Sequence, residues 1–348
     1  MTHDQIVRRL KETDESLLGD LWARADAVRK ENVGDEVHLR GLIEISNHCV
    51  RRCAYCGIRN DSGVQRYRMS EEEILACARD AKQFDYGTVV MQAGEDYGLS
   101  REWIAGVVRK IKTETGLAVT LSLGERSTED FRAWRDAGAD RYLIRFETSD
   151  PQLYAKIHPP LPNQDFDRFD KLRELRSLGY EIGSGVMIGI PGQTFDSLAR
   201  DIETFAEMDL DMIGVGPYIP HPATPLADMP PADSGQVPNT EDMTYKVVAL
   251  TRILCPKTNI PSTTALATLN KATGRESGLQ RGANVVMPNL TPPEYRVHYE
   301  IYPAKACIYE TAADCQGCIK RRIRSIGRTP GTGRGDSPNY RSNAPSSL

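Results

Sequence analysis

The 348 residues that begin MTHDQIVRRL predict an α/β protein, a complete (β/α)8 barrel of the TIM type. Three observations carry that expectation. Eight short runs rich in Val, Ile and Leu alternate with longer helical patterns. The eight units spread over about 250 residues, the usual size of such a barrel. A tight group of cysteines follows the first run directly, where a barrel places its chemistry, at the C-terminal ends of its strands. An open doubly wound sheet is the alternative that this count leaves.

Taken in order, the charged opening MTHDQIVRRLKETDESLL reads as an amphipathic helix rather than a signal peptide, so residues 1–36 are expected to form an N-terminal helical extension. Strands are expected at 38–45, 87–93, 117–122, 141–147, 182–190, 211–217, 259–264 and 283–288. Helical patterns fill the gaps at 70–84, 101–115, 128–138, 166–179, 193–208 and 240–254, with a shorter piece near 274–281. Ser70 followed by Glu73 is a capping-box start, and Gly138 and Gly179 fall where helices should stop. The barrel domain is expected to run from 37 to 328. Residues 329–348 are rich in Gly, Pro, Ser and Arg and nearly free of apolar side chains, which predicts a disordered tail. The segment PPADSGQVPN (230–239) reads as a mobile loop at the mouth.

Net charge is only -4, which gives no general attraction to nucleic acid or to anionic lipid. No apolar run is long enough to span a bilayer, so a cytoplasmic protein without membrane or nucleic-acid partners is expected. Eight cysteines in a chain of this length do not suggest a disulfide scaffold. Six of them stand in two groups, Cys49, Cys53 and Cys56, then Cys307, Cys315 and Cys318, and such clusters usually hold metal. Cys77 and Cys255 stand alone and read as small buried hydrophobes.

The first group lies in ISNHCVRRCAYCGIR (45–59). A disulfide needs two thiols and a closed zinc site four ligands, whereas an iron–sulfur cube held by three thiolates keeps one iron open. Strand parity adds two further pairs. Arg145 and Glu147 share a face of the fourth strand, and two charges aimed into a barrel mouth are costly unless they meet a ligand or each other. Thr120 and Ser122 share a face of the third strand, with simple packing as the plainer alternative.

The C-x3-C-x2-C spacing, with Tyr55 before the third cysteine, resembles the signature of the radical S-adenosylmethionine (SAM) enzymes. That resemblance implies a [4Fe-4S] cluster on Cys49, Cys53 and Cys56, SAM on its open iron, and a 5'-deoxyadenosyl radical as the product of reduction. Gly94 and Glu95 of GED resemble the segment that meets the amino group of SAM, and IGIPGQT (188–194) resembles the glycine-rich segment beside the adenine. Over residues 5 to 330 a longer series, including GADRYLIRFET, GVGPYIPHPATPL and YRVHYEIYPAKAC, resembles the [FeFe]-hydrogenase maturases of that superfamily.

The resemblance implies a maturase acting on a cysteine-bound Fe(CO)2(CN) precursor of the hydrogenase cluster. Its partners would be a flavodoxin- or ferredoxin-type electron donor and the other hydrogenase maturases. It assigns Arg145, Glu147 and Arg168 to polar groups of SAM, Thr120 and Ser122 to the cavity beside them, and Met187 and Met212 to the nucleoside and substrate. Tyr302 is placed with the cofactor. Arg40, Thr263, Thr264 and Tyr299 are placed in the substrate pocket. Cys307, Cys315 and Cys318 resemble the second iron–sulfur site of some family members, with zinc or no metal as alternatives. Two positions depart from the family pattern: Phe146 stands where His is expected, and Ala93 where Ser is common. Methylornithine synthase and biotin synthase are the rival enzyme readings, on a small amino-acid or thiazolidine substrate. A metal-binding scaffold without activity is the rival from another class.

Overall fold

The computed structural model describes residues 1–162, 167–229 and 235–343. The half of the expected mouth loop at 230–234 lies outside the described residues. Two helices open the chain, α1 (His3–Leu10) and α2 (Glu15–Val33), and each is started by a side-chain cap from Thr2 or Asp14. The repeating units follow: β1 (Glu36–Ser46), α3 (Glu71–Gln83), β2 (Thr88–Ala93), α4 (Arg101–Thr115), β3 (Ala118–Ser122), α5 (Thr128–Asp136) and β4 (Arg141–Leu143). The second half continues with α6 (Pro151–Ile157), α7 (Arg168–Ser177), β5 (Glu181–Ile188), α8 (Phe195–Glu207), β6 (Met212–Pro217) and α9 (Glu241–Leu254). After α10 (Thr264–Leu269) and α11 (Gly274–Gln280) come β7 (Val285–Val286), α12 (Pro293–Arg296), α13 (Ala312–Ser325), β8 (Thr329–Gly331) and α14 (Pro338–Asn343).

The Ser70 capping box forms as the spacing predicts: the Glu73 amide donates to Ser70 Oγ and the Ser70 amide donates to Glu73 Oε2 at 2.7 Å. Helices α1 and α2 pack against α8 and α9 on the outside of the sheet. The core lies between strands and helices, where Phe131, Trp134, Tyr142 and Tyr180 pack ring to ring.

Neighbouring strands run in the order β6-β5-β4-β3-β2-β1-β7, all parallel, with β8 beside the start of β1. Among the described residues this is an α/β barrel-like sheet of seven successive strands, one short of the eight expected around a complete barrel. The expected strand at 259–264 makes only the single-residue parallel bridges Met212–Asn259 and Pro261–Val285. A prolyl nitrogen cannot donate to a ladder, and Pro261 and Pro288 interrupt both short staves. The fourth strand is regular for three residues only; beyond it the Phe146 amide donates to Ser184 Oγ instead of a backbone carbonyl, and Glu147 stands at φ +62°.

Parity sends Arg40, Leu42 and Glu44 of β1 to the interior, with the matching positions of the other strands. Glycines let β5 and β6 meet there: a Cβ on Gly185 would stand 1.8 Å from the carbonyl oxygen of Gly214.

The tail departs most from expectation. Residues 344–348 of the expected tail lie outside the described residues; before them, residues 329–331 pair with β1 and residues 334–337 run under the barrel floor rather than being disordered. The Arg334 carbonyl accepts from Arg141 Nη2 and Thr88 Oγ1, the Gly335 carbonyl accepts from Arg40 and Asn259, and Asp336 pairs with Arg141. Ser337 is fully buried, donating its amide to Glu181 at 3.1 Å. What orders this segment is pairing with buried polar groups, which apolar content does not reveal.

Candidate functional site

The cysteine loop leaves β1 at the C-terminal end of the strands. Its backbone is tied by three distant segments: Ala54 N–H donates to Ile157 O, Gly57 N–H to Ile301 O, and Leu226 N–H to Ala54 O. Cys53 is buried, Cys49 and Cys56 half-buried. The Glu95 amide donates to Cys49 Sγ at 3.4 Å. Gly94 is required there, because a Cβ would meet His48 O at 2.3 Å and Cys49 Cβ at 2.9 Å. Burial pushes the Cys53 thiol up to about 12 and raises Cys49 and Cys56 as well. Thiols held this way become thiolates through a metal rather than through bulk pH.

Among the described residues no three His, Cys, Asp or Glu side chains close around one point as a mononuclear ion requires. A four-iron cube spreads its ligands wider. The donor set, three thiols and one backbone amide aimed at sulfur, fits a cluster of that kind.

Beside the loop lies a cavity of about 310 Å³ lined by residues of β1 to β6 and of the 261–265 and 301–305 segments. Of the sequence-predicted residues, Tyr55, Cys56, Ser122, Arg145, Glu147, Met187, Thr263, Thr264 and Tyr302 stand on its wall. Arg145 and Glu147 are 3.0 Å apart, and Tyr55 Oη is 3.5 Å from Glu147 Oε1. Yet among the described residues Arg145 Nε and Nη2 and Glu147 Oε2 find no aligned hydrogen bond. Gly214 keeps the floor open, since a Cβ there would have nothing nearer than 3.9 Å.

Other predicted residues stand elsewhere. Thr120 is buried one inward position below Ser122, and among the described residues its hydroxyl has no partner. Tyr299 is buried behind the wall, accepting from Gln92 Nε2 at 3.2 Å. Arg168 and Glu95 brace the site rather than line it. Arg168 donates to Glu125 at 2.8 Å, to the Arg145 carbonyl and to His158 Nε2 at 2.5 Å. Burial and the neighbouring guanidinium of Arg168 press His158 down to about 2, so the ring is a neutral acceptor. Glu95 pairs with Arg51, which also meets Glu125.

Arg40 and Met212 are corrections. Arg40 donates to Met212 Sδ at 2.8 Å and to the Gly335 carbonyl at 3.0 Å on the barrel floor, and neither residue reaches the cavity wall. Met212 opens β6, and Arg40 pairs with Thr88, the first residue of β2, a depth that parity alone does not reveal.

Sequence reasoning missed Glu44, Gln92, Met287 and Lys305, all on the wall. The parity that singled out strand four also points Glu44 inward. Lys305 follows an irregular segment and carries no periodic signal.

In the second group, Cys315 is buried on α13 with Cys318 one turn on, and the Cys307 carbonyl accepts from Arg296 at 2.7 Å. A hydrogen bond with Cys315 lowers the Cys307 thiol and raises its partner.

Comparison with known proteins bears on the family and the fold. The radical SAM superfamily model matches residues 43–205. The [FeFe] hydrogenase maturase subunit HydE of Thermotoga maritima is 46% identical over 331 residues, covering 95% of this chain and 92% of the relative. The 3-methylornithine synthase of Methanosarcina acetivorans is 27% identical over 95% of this chain and 90% of its own. A solved methylornithine synthase superposes with a TM-score of 0.81 at 24% identity, over 95% of this chain and 94% of that one, which shows a shared fold.

Proposed function

This chain is a radical SAM enzyme and belongs to the [FeFe]-hydrogenase maturase family, and from that premise we propose that it acts on a cysteine-bound Fe(CO)2(CN) precursor during assembly of the hydrogenase cluster. The observation that carries the reading is the juxtaposition of three shielded thiols with a mainly apolar cavity on whose wall Arg145 and Glu147 keep polar atoms without aligned partners among the described residues. Cys49, Cys53 and Cys56 would hold the [4Fe-4S] cluster that the family implies. Bound there, the cluster and SAM would supply one-electron reductive cleavage of the sulfonium and so the radical chemistry of the family.

The chain's own residues position and shield. Glu95 N–H steadies Cys49 Sγ, and Gly94 lets that backbone approach. Arg145 and Glu147 offer donors and an acceptor to the polar groups of SAM, with Ser122, Tyr55 and Met187 beside them. Thr263 and Thr264 offer hydroxyls to the substrate, and Tyr302 stands with the cofactor. No general acid or base is required, so orientation and exclusion of water are the protein's contribution.

Identity favours this reading over methylornithine synthase and biotin synthase, as does the second cysteine group, proposed to hold a second iron–sulfur cluster. The bridges at Asn259 and Pro261 support a complete eight-stave barrel. A flavodoxin- or ferredoxin-type donor and the other maturases are the proposed partners. The proposed compartment is the cytoplasm; among the described residues no helix is long and apolar enough to cross a membrane.

Anaerobic EPR of the reconstituted, dithionite-reduced protein tests the reading. A four-iron signal that shifts with SAM and disappears in Cys49→Ala is expected, followed by SAM turnover that depends on the cysteine-bound iron complex. Full reconstitution without a SAM-dependent shift would refute it.

A further inference from the structure

The cavity holds a second ion pair, on a different strand from Arg145 and Glu147. Glu44, on β1, and Lys305, in the irregular segment after Tyr302, both line the wall although their side chains are only 1% and 5% exposed. The pair is fixed on the acid's side. Glu44 Oε2 accepts from Asn289 Nδ2 at 3.0 Å, and Asn289 is itself held by the Thr291 amide at 2.9 Å. Lys305 Nζ donates to Glu44 Oε1 and to the Tyr299 carbonyl at 3.4 Å, and lies 5.3 Å above the Tyr299 ring. An ammonium has three donors, so one remains for the cavity.

Ala304 and Cys307 stand on either side of this lysine at φ +56° and +60°. Non-glycine residues take that conformation at a cost, where the surroundings demand it. Packing alone does not demand a charge here, because a buried ion pair does roughly no better than an apolar pair of the same size.

We propose that Lys305 is an anion anchor of the substrate chamber, donating its third N–H to a carboxylate or a metal-bound cyanide of the substrate, with Glu44 as its permanent counter-ion. This rests on the cavity being the reaction chamber, as read above. Carboxylate and cyanide share the chemistry required: negative charge on a small, exposed lone-pair acceptor. Arg145 then serves the SAM side, and Lys305 keeps the anionic end of the substrate at the β1 side.

The test is calorimetric titration of reconstituted holoenzyme with S-methyl-L-cysteine, with S-methylcysteamine, which lacks the carboxylate, and with thiocyanate as a linear cyanide-like anion. In Lys305→Met, affinity for at least one anion should fall about ten-fold or more, while Lys305→Arg stays within about three-fold of wild type. A loss confined to S-methyl-L-cysteine identifies the carboxylate as the ligand; a loss confined to thiocyanate identifies cyanide. Four results overturn the proposal: unchanged affinity in Lys305→Met, an equal loss for S-methylcysteamine, no binding of either anion to wild type, or a Lys305→Met protein that also loses its SAM-dependent EPR shift. A wild type without that shift refutes the proposed function instead, and the anion titrations are still read.

Discussion

Arg141 and Arg145 stand four residues apart along one strand run, the first on the barrel floor and the second at the mouth. The Arg141 side chain is wholly buried, and every arm is engaged: Nε with Glu181 at 2.6 Å, Nη1 with Thr88 at 2.9 Å, Nη2 with the Arg334 carbonyl and with Asp336. Arg145 is 32% exposed and sits 3.0 Å from Glu147, with no aligned bond from Nε or Nη2 among the described residues. The same side chain serves as a rivet in one place and an open hand in the other. A charge with every donor matched is holding the fold together; one with donors left over is kept for something that arrives.

Ending the chain at Gly333 attacks the floor most severely, because Arg40, Arg141, Asn259 and Glu181 all lose partners. A loss above about 5 kcal/mol, or failure to fold, is expected in urea denaturation, since several buried charged groups are orphaned together. A soluble chain with wild-type midpoint would show that the tail is only a cover. The single change Arg141→Met should cost about 3–5 kcal/mol, the price of stranding a buried carboxylate. Arg145→Met should cost less than Arg141→Met, because it breaks no aligned hydrogen bond from Nε or Nη2 among the described residues and Tyr55 stays beside the Glu147 carboxylate. It should instead abolish the SAM-dependent EPR shift or weaken it by an order of magnitude. Equal stability losses for the two arginines would dissolve the contrast.

The mouth was more legible in the sequence than the floor. Cysteine spacing, and the charges at Arg145 and Glu147, are written in positions a few residues apart, so local parity and motif reach them. The floor is assembled across nearly the whole chain, from Arg40, Thr88, Arg141, Glu181 and residues 334–337. Arg40 and Met212 were assigned to the wrong end for this reason: parity says inward, but not how deep. Lys305 escaped because an irregular segment has no period. Glu44 did not need to, since it shares the face of Leu42. The tail escaped because its order comes from meeting buried partners far away in sequence.

Asp201 tests a place between the two ends. It lies on α8 behind the loops that follow β4 and β5, accepting from the Ser149 amide at 2.5 Å, Ser149 Oγ at 2.7 Å, Thr148 Oγ1 at 3.3 Å and Gln193 Nε2 at 3.4 Å. Burial outweighs these donors and lifts its carboxyl from near 3.8 to about 7. The folded protein therefore keeps a proton that the unfolded chain releases. Its contribution to stability is complete below about pH 4 and is lost as pH rises through about 7, at up to about 1.4 kcal/mol per pH unit. Asp201→Asn cannot ionise and should flatten the decline of the urea midpoint between pH 5 and 6.5. An unchanged slope would mean that the carboxylate is already ionised and belongs with the fully matched groups of the floor.

The smallest effect separates the two ends most cleanly. Thr120 is buried just below the mouth, and its hydroxyl has no partner among the described residues, whereas Thr88, on the neighbouring strand at floor level, both donates and accepts. A buried hydroxyl without a partner costs free energy, and valine has nearly the same shape without it. Thr120→Val should therefore stabilise the protein free of SAM and substrate by about 1 kcal/mol, while Thr88→Val should destabilise it by about as much or more. If the Thr120 hydroxyl is held in reserve for a bound molecule, the same substitution should weaken SAM or substrate binding even as it raises the midpoint. Opposite signs on stability and affinity are what a site residue gives and a packing residue does not. Should Thr120→Val lower the midpoint, that hydroxyl is matched after all, and Thr120 belongs to the floor.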